Sequence, residues 1–211
     1  MQVHYAMAPT TAMQPDGPTR ASRMNLDGNL ETERLILRCL DPEEVGDEYV
    51  GWLNDQAVNR YMEVRFTRQD VAGVRRFVRD ANASASELLL GIFLKTAPTA
   101  AAHIGNIKIG PISAPHQRAD IGLVIGAALH RGKGYASEAI EAATRYACEK
   151  LGLIKLTAGL YAANIACYRA FFRAGYVEEA RLKGHSASGE GRDDVILLAY
   201  WLTWRGPPGR N

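Results

Sequence analysis

The stretch His130-Arg131-Gly132-Lys133-Gly134-Tyr135-Ala136-Ser137-Glu138-Ala139 carries the densest chemical signal in this chain. Its glycines and cations form a short turn between an apolar run, Ile121-Gly122-Leu123-Val124-Ile125, and an alanine-rich stretch with helical spacing. Glycine lets the backbone aim its N–H groups at a ligand, and a helix start adds free donors and the positive end of a dipole. Such a turn is a cradle for a phosphate-bearing ligand. A Walker A loop needs G-x-x-x-x-G-K and then Ser or Thr, whereas Lys133 lies between glycines and is followed by Gly134. A dinucleotide fingerprint needs a third glycine where Ser137 stands, and an acid near the end of the next strand, where Gly159-Leu160-Tyr161 has none. Two readings stay open on the residues alone. One is a strand-to-helix turn that needs glycines only for its conformation. The other is the pattern Arg/Gln-x-x-Gly-x-Gly/Ala, met here as Arg131 to Ala136.

The elements that would position this turn follow from periodicity and turn chemistry. Arg34–Arg38 alternates as a first strand, and Asp41-Pro42 caps a helix expected to run to about Asn54. Val71, Val74, Phe77 and Val78 are at helical spacing and predict a second helix over 67–82. Three strands, 88–95, 104–109 and 119–125, come next at meander-like intervals that predict antiparallel pairing. A helix follows from about Gly134 to Lys150, then a strand over 154–161 and a helix over 164–174 stopped by Gly175. Two last strands, 176–185 and 195–202, flank a Ser/Gly-rich hairpin over 186–192. The order β-α-α-β-β-β-α-β-α-β-β predicts a single α/β domain with a mixed sheet over residues 31–205. Residues 1–30, without periodicity, are expected to be a disordered tail, and 206–211 a frayed end.

Bulk properties narrow the partners. The chain has 211 residues, 47% of them hydrophobic and 23% charged, ordinary values for a globular domain with a full core. A net charge of +2 gives no argument for nucleic acid. No apolar run approaches the ~18–20 residues of a membrane span, so no membrane partner is expected. The three cysteines, Cys39, Cys148 and Cys167, are scattered, which fits reduced thiols in a cytoplasmic protein without a zinc site or any other metal.

In its context the Arg131–Ala136 pattern resembles the pyrophosphate-binding loop of the GNAT superfamily, the acetyl-CoA-dependent N-acyltransferases. An apolar strand precedes it and an Ala-rich helix follows. The later segment from Asn164 to Ala174-Gly175-Tyr176 resembles the family's second signature, and the likeness extends from about Glu33 to Trp204. Trp52-Leu53-Asn54-Asp55 and Ile104-Gly105-Asn106 are similar to the branch with ribosomal-protein-alanine and amino-sugar acetyltransferases.

The resemblance implies acetyl-CoA as cosubstrate and assigns roles residue by residue. Arg131, Gly132, Lys133, Gly134, Tyr135 and Ala136 would hold the pyrophosphate, while Leu123, Val124 and Ile125 would pair with the pantetheine arm. Asn164 would hydrogen-bond that arm, or simply cap the helix it begins. Asp120 is the leading candidate base for the attacking amine, against the alternative of a plain surface carboxylate; His116 and His103 rank lower. Many members carry a tyrosine where Phe171 stands here, to protonate the leaving thiolate. Phenylalanine has no proton to give. Phe171 is then expected to pack on the arm, with Tyr168 as a weak candidate acid and Cys167 a weaker one. Asp193, Asp194 and His185 would shape the substrate mouth, and residues 61–66 the acceptor side, with Arg65 or Arg68 on an acceptor phosphate.

The function expected is acetyl transfer from acetyl-CoA to a primary amine of a small polar acceptor, such as an amino-sugar nucleotide, within a ternary complex. The chain would act as a monomer or homodimer. Two alternatives are a protein N-terminal acetyltransferase and, given Phe171, a non-catalytic acyl-CoA-binding protein.

Overall fold

The computed structural model describes residue 26 and residues 28–95, 102–189 and 191–202. Most of the tail expected over 1–30, and all of the end expected over 206–211, lie outside the described residues. The chain enters through β1 (Leu30–Glu31) and β2 (Leu35–Cys39), whose pairing joins Leu30 to Leu37. Three helices follow, α1 (Asp47–Asn54), α2 (Gln56–Asn59) and α3 (Val71–Ala83), with single 3-10 turns at Pro42–Glu44 and Glu63–Phe66. Then come β3 (Leu88–Leu94), β4 (His103–Ser113), β5 (Arg118–Ile125), α4 (Tyr135–Glu149), β6 (Lys155–Tyr161) and α5 (Ile165–Arg173). A hairpin of β7 (Val177–Ser188) and β8 (Gly191–Trp201) completes the described chain.

All eight strands form one sheet in the order β1-β2-β3-β4-β5-β6-β8-β7. Every neighbouring pair is antiparallel except β5 with β6. Helices cover both faces, which is why β3 reads Leu-Leu-Leu-Gly-Ile-Phe-Leu without a polar residue. Its Leu88, Leu90, Ile92 and Leu94 join a core with Ala139, Ile140, Ala143 and Phe171 of α4 and α5. Its Leu89 and Phe93 join a second core under α1 and α3, with Tyr49, Leu53, Val74 and Val78.

Differences from the sequence reading have local causes. Asp41 and Glu44 form a capping box around Pro42, but it closes only one 3-10 turn. Val45 is buried at the exit and Gly46 is extended, so α1 starts afresh at Asp47. The second long helix starts at Val71, not Thr67, because the Asp70 side chain accepts from the Gly73 amide at 2.6 Å and caps it there. The final hairpin is longer than expected, since pairing continues from Ser186↔Asp193 to Ser188↔Gly191.

One close approach ties the two sides of the sheet to the turn of interest. A Cβ on Gly126, just past β5, would fall 2.0 Å from Cδ2 of the buried Trp52 of α1. Gly126→Ala is therefore expected to cost about 1–3 kcal/mol through overpacking. Urea denaturation checks this, and unchanged stability would contradict the packing described.

Candidate active site

The parallel pair β5–β6 is in register for only three rungs, Arg118↔Lys155, Ala119↔Leu156 and Asp120↔Thr157. Beyond them β5 stays with β4 as far as Gly105↔Ile125, and β6 stays with β8 as far as Tyr161↔Val195. Each strand is held by its other neighbour, so the two part and leave residues 121–125 with an unpaired backbone edge. A cleft of about 900 Å³ fills the fork. Its walls include Gly122, Leu123, Val124 and Ile125 of β5, Gly159 and Tyr161 of β6, and Asn164 and Phe171.

At the wide end stands the glycine turn. Gly132 and Gly134 have φ of +74° and +85°, a region that other residues enter at a cost. No side chain caps α4. Among the described residues, no protein acceptor takes the amides of residues 132 to 137. A row of free donors at the positive end of a 15-residue helix suits an anion. Gly132, Gly134, Tyr135 and Ala136 line the cleft; Lys133 is exposed and does not. Arg131 lines it too, but its guanidinium donates to the carbonyls of Ile125 (3.0 Å) and Gly126 (2.7 Å) and, more weakly, Ala57 (3.4 Å). That cation braces the turn against the end of β5.

A second brace comes from the start of the sheet. The Glu138 carboxylate, in the first turn of α4, accepts from the Thr32 hydroxyl (2.5 Å), the Arg34 amide (2.9 Å) and the Arg34 guanidinium (2.7 Å). Arg34 also donates to the Lys133 carbonyl at 3.0 Å and lies 4.5 Å from the centre of the Tyr135 ring. Burial opposes ionisation of Glu138, yet the Thr32 and Arg34 donors outweigh it and hold the carboxyl below the usual range. Sequence reasoning missed this contact. Its partners are 104 residues apart and no local pattern pairs them.

At the apex of the fork, Asp120 lines the cleft and its Oδ1 accepts from the Thr157 hydroxyl. Phe171 is buried edge-on to Tyr176, with ring centres 5.0 Å apart. Tyr168 stacks on Phe172 and is not among the residues that line the cleft. Asn164 lines it while its side chain caps α5, accepting from the Cys167 amide at 3.2 Å. Burial pushes the Cys167 thiol up to about 12, so it stays protonated at neutral pH. His103 lies elsewhere, stacked on Phe93 in the second core with its pKa lowered by burial, and His116 is exposed in the turn before β5.

Another wall of the cleft, where the sequence reading expects the acceptor, is closed by a strap over residues 61–66. Tyr61, Met62, Glu63 and Phe66 line the cleft. Tyr61 donates to the Ala163 carbonyl at 3.2 Å, and the Tyr161 hydroxyl donates to Glu63 at 2.8 Å. Arg65 donates to Met62 O (3.1 Å), to the Tyr161 hydroxyl (2.8 Å) and to Ala187 O (2.8 Å) on β7. His185 lines the same end. Asp193 accepts from the Ala163 amide at 3.1 Å, and Asp194 pairs with Lys183 at 2.8 Å.

Residues 34–177 match the acetyltransferase (GNAT) domain family. The chain belongs to that family. It is 27% identical over 171 residues to the uncharacterised N-acetyltransferase p20 of Bacillus licheniformis, covering 81% of this chain and 94% of the relative. A GNAT-family acetyltransferase from Bacillus anthracis superimposes with a TM-score of 0.66 at 24% identity, over 82% of this chain and 98% of the other. The spermidine N-acetyltransferase of Vibrio cholerae, solved with CoA and spermine, gives 0.70 at 20% identity, over 81% and 96%. This GNAT protein is an acyltransferase with the mixed α/β sheet of its relatives. Among its described residues no helix is long and apolar enough to cross a membrane.

The brace on the turn has a measurable pH signature. Glu138 is ionised more readily in the folded acetyltransferase than its ordinary pKa of ~4.3 allows. Its contribution to stability is therefore complete above that value and is lost as pH falls through the depressed folded pKa. Glu138→Gln is expected to cost about 1 kcal/mol at pH 7, trimmed by the exposure of Arg34. The gap to wild type should close in acid. A gap that persists unchanged to pH 2 would contradict this role.

Proposed function

We propose that this acetyltransferase moves the acetyl group of acetyl-CoA to the primary amine of a small polar acceptor, by direct attack within a ternary complex. The fork carries this reading: one end offers uncapped amides, the middle a free strand edge, and the apex a carboxylate. Acetyl-CoA, when bound, supplies an activated acyl group on a thiolate that can leave. The amides of residues 132–137 would hold its diphosphate. The free edge at Leu123, Val124 and Ile125 would pair with the pantetheine amides, with Asn164 on the opposite wall. An N–H of the same edge would stabilise charge growing on the carbonyl oxygen.

The chain's other groups set the proton traffic. Asp120 would take the proton of the attacking amine while Thr157 fixes the carboxylate's orientation. Cys167 remains a protonated thiol, which favours direct attack over an acyl-cysteine. Phe171 leaves the departing sulfur without a phenolic donor. A thiol with a pKa near that of cysteine, ~8.5, can leave as thiolate, so this slows transfer without abolishing it.

The strap favours a small amine over a protein N-terminus. It ties residues 61–66 to β6, to Ala163 and to the β7–β8 hairpin, roofing the acceptor end. Arg65, expected to meet an acceptor phosphate, spends its guanidinium on this strap. Glu63 and Asp120 both line the cleft, while Lys108, which lines it too, is paired with Glu87. This ranks amines that bring their own positive charge ahead of amino-sugar nucleotides. The spermine-bound fold neighbour supports that order.

A thiol-release assay with acetyl-CoA and a panel of polyamines, amino-sugar nucleotides and N-terminal peptides tests the reading. Turnover should be fastest with a polyamine or another small cationic amine. Release with none of them overturns the proposal. Asp120→Asn should lower kcat about 10²-fold or more while leaving CoA affinity unchanged; full activity would move the base elsewhere.

A further inference from the structure

The cleft is also walled by α5, where Ala166 and Ala170 alternate with Arg169 and Arg173. The two arginines are four residues apart, hence neighbours on the helix surface, and both are exposed. The lysines and arginines elsewhere in the wall are engaged. Lys108 pairs with Glu87, Arg131 holds carbonyls of residues 125 and 126, Arg192 donates to those of Gly184 and His185, and Arg60 lies over the Tyr61 ring. Among the described residues, the side chains of Arg169 and Arg173 have no ion pair, hydrogen bond or ring contact.

Helix stability does not account for the pair. Arg173 sits in the last turn and gains from the helix dipole, but Arg169 lies a turn earlier. Like charges at this spacing repel, so the arrangement costs stability unless an anion comes between them. The small side chains of Ala166 and Ala170 leave room for one. α5 packs against α4, whose start carries the free amides, and the two arginines line the same cleft as those amides.

CoA bears, besides its diphosphate, a phosphomonoester on the 3′ carbon of its ribose, and dephospho-CoA lacks it. We propose that Arg169 and Arg173 receive this 3′-phosphate and make the protein discriminate CoA from dephospho-CoA. Two guanidinium forks match a phosphate's oxygens better than point charges would. The proposal rests on the acetyl-CoA reading, and the two fail separately.

Titration calorimetry of wild type, Arg169→Ala, Arg173→Ala and the double variant, with CoA and with dephospho-CoA, tests it. Wild type should bind CoA about tenfold more tightly or better. Each single variant should weaken CoA several-fold with dephospho-CoA unchanged, and the double variant should bind both alike. Arg145→Ala, a cation on α4 away from the cleft, should leave the ratio intact and so measures long-range charge effects. Equal binding of both ligands by wild type overturns the 3′-phosphate site and leaves the acetyl-CoA reading standing. Variants that weaken both ligands equally overturn it too. If wild type binds neither ligand, the acetyl-CoA reading falls with it.

Discussion

The pairing of β5 with β6 stops after three rungs, and the rest of the site depends on that interruption. A parallel pair in the middle of a sheet normally continues, because an unpaired backbone edge gives up hydrogen bonds. Here each strand has a stronger commitment on its other side. β5 follows β4 to Ile125, and β6 follows β8 to Tyr161. The resulting wedge exposes backbone donors and acceptors to an extended ligand in a place shielded by helices on both faces. Gly122 and Gly159 line it, which keeps the walls free of bulk.

The glycine turn works because it is held from behind. Arg131 ties it to the end of β5, Arg34 ties it to α4 through Glu138, and Gly126 lets Trp52 lie against the backbone that leads in. None of these contacts uses the amides of residues 132–137. The donors are thus fixed before a ligand arrives, and little ordering has to accompany binding. Two conspicuous cations of the motif turn out to differ in kind. Arg131 is a structural brace, whereas Lys133 stays on the surface.

Much of this was legible in the chain. Alternation and apolar runs located the strands, and Gly175 marked the end of α5, whereas Asp41-Pro42 capped only a 3-10 turn ahead of the helix expected there. The turn was legible because its pattern is local: glycines, a strand before and a helix after. What depends on register was not. Nothing in Asp120 or Thr157 announces the last rung of a pair, and nothing in Thr32, Arg34 or Glu138 announces a contact across about half the chain. Arg65 illustrates the same limit. Its type suggested a phosphate, but its partners, Tyr161 and Ala187, come together only when the strap folds over β6 and β7. Side chains declare what they can do, and tertiary structure decides what they are spent on.

If the uncapped amides of residues 132–137 are the ligand's anion cradle at the open end of the fork, their resonances must respond to it. Amide ¹H–¹⁵N spectra of the labelled protein titrated with CoA test this most directly. Large shifts are expected at Gly132, Gly134, Tyr135 and Ala136 and along Leu123–Ile125, with the second core around Val74 and Val78 unmoved. Saturable CoA binding that leaves the resonances of residues 132–137 in place would contradict it.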